Sequence, residues 1–90
     1  MDPIRVAGIL YQVKSLSPEE MQGLIGQADF NGQEIRINNT VTEQTKKIAL
    51  IHELLHIIDH AWAAGLTEQQ IVKMSHGLVQ VIHDNQNYKF

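Results

Sequence analysis

His52-Glu53-Leu54-Leu55-His56 is the stretch of this chain whose residue types and spacing suit chemistry. In a helix, positions i and i+4 lie nearly above one another, about 6 Å apart, so His52 and His56 can offer two imidazole nitrogens to one cation. Glu53 falls about 100° further round, beside that cation yet free for proton transfer. The H-E-x-x-H pattern thus puts two ligands and a general base on one helix. Zinc held by three protein ligands keeps a fourth position for water, which becomes a usable hydroxide near neutral pH. A carboxylate beside it can take the proton and pass it to a leaving amine. The plainer reading makes the two histidines ordinary helix residues beside an ordinary glutamate. The apolar context opposes it. Ile48, Ile51, Leu55, Ile58 and Trp62 follow a 3-4-3-4 spacing that predicts a separate core stripe. His52 and His56 flank that stripe, where a partly enclosed site belongs.

The elements that must position these residues follow in chain order. Ile4 to Leu16 reads as extended structure interrupted at Gly8, with Leu10-Tyr11-Gln12-Val13-Lys14 composed as a strand. Ser17-Pro18-Glu19-Glu20 starts a helix, with Ser as N-cap, Pro at N1 and Glu at N3; Gly23 and Gly26 keep it short. Leu24 to Phe30 predicts a second strand, and the alternating Gln33-Glu34-Ile35-Arg36-Ile37-Asn38 a third. Asn31-Gly32 between them is a hairpin signal, so Phe30 to Gln33 closes an antiparallel pair.

A long helix then runs from about Thr42 to Ala64, with Thr40 and Glu43 as a capping box or Thr42 as the N-cap. Lys46 and Lys47 fit its solvated face. Gly65 suits the position just past its end. Thr67 to Gln70 restarts a helix with a further capping box. Ile71, Met74, Leu78, Val81 and Ile82 are its predicted apolar stripe, Asp84-Asn85 its end, and the last five residues a loose tail. The expected fold class is α+β: a small antiparallel sheet of about three strands, packed on the H-E-x-x-H helix and a C-terminal helix.

Composition narrows the functional classes. Ninety residues suit one small domain, residues 1–90. No apolar run is long enough to span a membrane, and Asp2-Pro3 after Met1 does not resemble a signal peptide. A net charge of −3 without a Lys/Arg cluster argues against a nucleic-acid partner. With no cysteine, a metal must rest on His and carboxylates, and a cytoplasmic location is expected.

Two histidines need a third protein ligand. His60 continues the spacing but lies about 12 Å from His52 along a straight helix, so one ion cannot join both. A surface or supporting role suits it better. Asp59 sits nearer the His edge and could orient an imidazole. Glu68 and His76, on the last helix, remain. If the two helices run antiparallel about Gly65-Leu66, His76 comes level with His56, and Glu68 with Ala64. His83 is expected to be exposed.

Across nearly its whole length the chain resembles the short, phage-type members of the gluzincin-like ImmA/IrrE group of zinc metallopeptidases. The resemblance lies in Ile4 to Val13, the Gly26-Gln27-Ala28-Asp29-Phe30 to Ile37 hairpin, Leu50 to Ile57, and Gly77-Leu78-Val79-Gln80-Val81-Ile82 with Asp84-Asn85. Of these, the H-E-x-x-H alone is a sharp chemical motif. The resemblance implies a sheet packed on the H-E-x-x-H helix, and a third ligand that is a Glu near the start of the next helix. Glu68 matches that position, provided the first helix ends around His60 to Trp62 and the chain loops back through Ala63 to Leu66. Zinc as cofactor, Glu53 as catalytic base, and a protein or peptide substrate such as a repressor follow from the same resemblance. The alternative is a zinc-stabilised protein-binding module without turnover, for which the metal adds folding free energy to a small domain.

Overall fold

A computed structural model describes residues 1–89. Ile4–Val6 (β1) and Ile9–Leu16 (β2) form an antiparallel hairpin in the register Val6↔Ile9. Its two turn residues, Ala7 and Gly8, both have positive φ, 53° and 77°, the backbone that a two-residue hairpin turn demands. The expected interruption at Gly8 is therefore a strand reversal, and it raises the strand number to four. Helix α1 (Pro18–Met21) opens with the capping box read from the sequence: Glu20 N–H donates to Ser17 Oγ, and Ser17 N–H to Glu20 Oε1.

Gly26–Asp29 (β3) and Glu34–Asn38 (β4) pair antiparallel, with Asp29 opposite Glu34. The Phe30 to Gln33 loop takes its positive φ at Gln33, 53°. Gly32 is needed there for another reason. Its N–H donates to Asp29 Oδ1 at 2.9 Å, and a Cβ would stand 2.5 Å from the same carboxylate. The sheet order is β1-β2-β4-β3, and β2 runs parallel to β4. The expected all-antiparallel sheet is thus mixed. The β-branched residues of β4 belong in the middle: Ile35 and Ile37 are fully buried, while Gly26 and Ala28 of β3 suit an edge beside a helix.

One face of the sheet is covered by α2 (Glu43–Trp62), against which α3 (Glu68–Asp84) packs. Tyr11, Val13, Ile35, Ile37, Ala49 and Ile57 make the central core. The stripe expected to fill it behaves differently. Leu55 is buried, but Ile58 and Trp62 are 37 % and 65 % exposed. Helix α2 lies between two partners, so its apolar residues serve two faces: Ala49 and Ile57 meet the sheet core, with Leu50 and Leu54 beside them. On α3 the buried seam is Ile71, Ser75 and Val79, spaced four apart, while Met74, Leu78, Val81 and Ile82 stay substantially exposed. Ser75 fits the closest point of packing because it is small, and its hydroxyl donates to Val72 O at 2.8 Å.

Among the described residues, no helix is long and apolar enough to cross a membrane. In the expected tail, Tyr88 N–H donates to Asn85 O, closing a turn. The part of that expectation falling on Phe90 lies outside the described residues.

Candidate metal centre

Helix α2 begins where Thr42 accepts the Thr45 N–H, so Thr42 is the cap. Thr40 is engaged elsewhere. Its N–H and hydroxyl both donate to Asn38 Oδ1, whose amide nitrogen donates to Leu24 O. Buried Asn38 thereby ties the end of β4 to the segment leading into β3 and to the approach to α2. The helix is unbroken through the motif, so His52 and His56 occupy one face as their spacing requires.

The turn after α2 brings in Glu68. The cap is Ala63, with φ 49°, rather than Gly65. Asp59 dictates this stop. Its carbonyl accepts the Ala63 and Ala64 N–H groups, and its carboxylate accepts the Leu66 N–H at 2.8 Å. Its described bond therefore orients the turn and not an imidazole. Thr67 then caps α3 through a capping box with Gln70, and Glu68 falls in the first turn. Helices α2 and α3 pack on each other, and His76 lines a hollow with His52 and Glu53, but it is the Glu68 carboxylate that reaches both imidazoles.

His52 Nε2 and His56 Nε2 lie 3.2 Å apart, and each stands 2.8 Å from an oxygen of Glu68. All three ligand atoms fall within 4.8 Å of one another, a group that could hold a metal ion. The donor set tests this directly. Zinc bonds to imidazole of about 2.0–2.1 Å in a tetrahedron give an edge of about 3.3 Å, close to the observed nitrogen separation. If both Nε2 atoms carry protons for Glu68, two N–H groups face each other at 3.2 Å. A cation between them satisfies both nitrogens; a hydrogen bond satisfies one. His76 lies outside this cluster.

Glu53 is 8 % exposed and faces strand β3. A Cβ built on Gly26 would meet Glu53 Oε2 at 3.0 Å and Cγ at 3.3 Å, so the carboxylate occupies space that only glycine leaves open. Burial pushes the Glu53 carboxyl above the ordinary carboxylate range. The neighbouring His52 and His56 pull it down, and Glu68 repels it upward.

Two hollows meet at these residues, sharing Gly26, His52 and Glu53. One, of about 350 Å³, is walled by Gln27, Ala28 and Phe30 and reaches His56 and Glu68. The Phe30 ring stacks on His60 at 4.3 Å, which gives His60 a supporting place away from the ligand cluster. The other hollow, of about 560 Å³, opens on the far side of His52 and Glu53. The sequence places Gly26 and Phe30 in the hairpin but not at the site, since nothing local marks a glycine or phenylalanine as abutting a helix some thirty residues away.

Comparison with known protein families, with curated proteins and with solved structures returns no match.

Proposed function

We propose that this chain is a zinc-dependent hydrolase, and specifically a metallopeptidase that cleaves a cytoplasmic regulatory protein such as a repressor. The observation carrying the reading is the convergence of His52, His56 and Glu68 beside a buried Glu53. The three would hold zinc, which when bound supplies a water acidic near neutral pH and a Lewis acid for a carbonyl. Glu53 takes the proton of the attacking water as its oxygen bonds to the carbonyl carbon. It returns that proton to the amine nitrogen as the C–N bond breaks. His76 lines the hollow beside His52 and Glu53, and we assign it the developing oxyanion. Support for a peptide substrate comes from the edge position of β3, since an extended chain can add to a sheet edge by backbone hydrogen bonds.

The test is Glu53→Gln in zinc-loaded protein, read by zinc content and by mass spectrometry of digested peptides. Zinc retained with cleavage lost supports the hydrolase. Zinc retained by both forms, with no cleavage by the native chain, assigns the zinc-stabilised binding module instead.

A further inference from the structure

Helix α3 carries a second apolar face, away from the metal centre, that stays open to solvent. Met74, Leu78 and Val81 are 41 %, 41 % and 47 % exposed, and they lie to one side of the buried seam of Ile71, Ser75 and Val79. With Asn85 they follow the 4-3-4 spacing by which one helix packs along another. We propose that this face joins two copies of the chain, α3 lying antiparallel against α3 across a two-fold axis at Gly77-Leu78.

Two observations select a second copy as the occupant. Gly77 stands in the middle of the helix, where glycine weakens it, yet a Cβ built there meets nothing within 4 Å. The fold of one chain therefore gives no reason for glycine at this position. A second backbone crossing beside Leu78 does, because a missing side chain lets backbones approach closely. Charge is the other observation. Lys73 has no ion-pair partner among the described residues, and Asp84, eleven residues on, falls about 20° from it round the helix, on the same Gly77 edge of the face. About a two-fold axis the same patch meets itself, so residue i contacts j and j contacts i. In an antiparallel pair centred at Gly77-Leu78, residues whose numbers sum to about 155 lie level. Met74 then meets Val81 of the second copy, and Lys73 comes within a turn of the second copy's Asp84, at both ends. A parallel pair would set Lys73 against Lys73 and Asp84 against Asp84. One helix face covers less than the ~800 Å² per partner of a standard interface, so the pairing is weak and needs high protein concentration.

Sedimentation velocity of the full chain over about a hundredfold range of concentration reads the association. Conversion of monomer to dimer is expected. Leu78→Glu should abolish it, and Lys73→Glu or Asp84→Lys should each weaken it by about fivefold, with recovery in the Lys73→Glu/Asp84→Lys double variant. These positions are exposed, so the fold is retained, which circular dichroism verifies. The chain contains no cysteine, so Gly77→Cys supplies a single thiol at the axis, and mild oxidation should link two chains through it. A thiol from Lys73→Cys, about 13 Å from its counterpart along an antiparallel pair, should not link. A monomer at every concentration overturns the proposal and leaves the face to a different occupant. A dimer that survives Leu78→Glu, ignores the charge exchange, or links through Lys73→Cys and not Gly77→Cys overturns it as well.

Discussion

Strand β3 borders two clusters of ionisable groups that solve opposite problems. On the outer face of the sheet, Arg36 donates to Glu34 at 2.6 Å, Gln27 at 3.1 Å and Asp29 at 3.2 Å, and Lys14 pairs with Glu34 at 2.9 Å. The register makes this inevitable: Lys14, Arg36 and Gln27 lie side by side across three strands. Each carboxyl there sits below its ordinary range, Glu34 through Lys14 and then Arg36, Asp29 chiefly through the Gly32 N–H. On the helical side, His52, His56, Glu53 and Glu68 gather, and among the described residues no Lys or Arg lines either adjoining hollow. There the buried carboxyl is pushed up instead. A cluster that carries its own countercharge is complete as folded. One that gathers donors around a point without a cation of its own could hold a cation from outside.

The largest effect expected from this contrast is on metal binding. The native chain should carry about one zinc, and the His52→Ala/His56→Ala double variant none, by elemental analysis. Zinc at a thousandfold excess over its Kd stabilises a folded protein by about 4 kcal/mol. Chelator should therefore lower the melting temperature of the native chain by more than about 10 °C and leave the double variant unmoved.

Next comes Glu53→Gln, expected to reduce turnover at least about a hundredfold with zinc retained. In zinc-free protein the same change should raise stability at neutral pH. Because the folded-state pKa of Glu53 lies above its unfolded value, stability falls as pH rises between the two, and the whole cost is present above that window. Gln removes it, so urea unfolding should show the gain at neutral pH and not in acid.

Gly26→Ala should lower kcat by about ten- to a hundredfold through displacement of Glu53, with zinc content unchanged. Steady-state kinetics beside elemental analysis separates this from loss of metal.

The smallest effect belongs to the complete cluster. Arg36→Gln should leave zinc and turnover unaltered and cost little stability, as partly exposed ion pairs usually do. Its sign with pH is opposite to that of Glu53. Carboxyls with lowered folded pKa values contribute above their unfolded values and lose that contribution as pH falls through the folded ones. The difference between native and variant unfolding should therefore be present at neutral pH and vanish in acid.

Local signals were legible wherever a few adjacent residues decide the outcome. The Ser17 and Thr67 caps, the Phe30 to Gln33 hairpin and the helical H-E-x-x-H all fall in this class, because capping, turn geometry and i, i+4 spacing are short-range. Burial on α2 and α3 was less legible. A helix packed on both a sheet and another helix has two apolar faces, so one periodic stripe cannot say which side chains stay in water. Ile58 and Trp62 show this.

The sequence by itself determined that two imidazoles and a carboxylate share one helix, since helix pitch fixes that relation. Only the tertiary structure decided what completes the group. Spacing alone set His76 level with His56, and it could not say which side chain of α3 reaches the imidazoles. Asp59 ends α2 at Trp62 by capturing the Leu66 N–H, and that stop swings Glu68 to within hydrogen-bonding distance of both histidines. The same is true of Glu53. Its burial depends on the edge strand closing over it at Gly26, a contact between segments that no local pattern encodes.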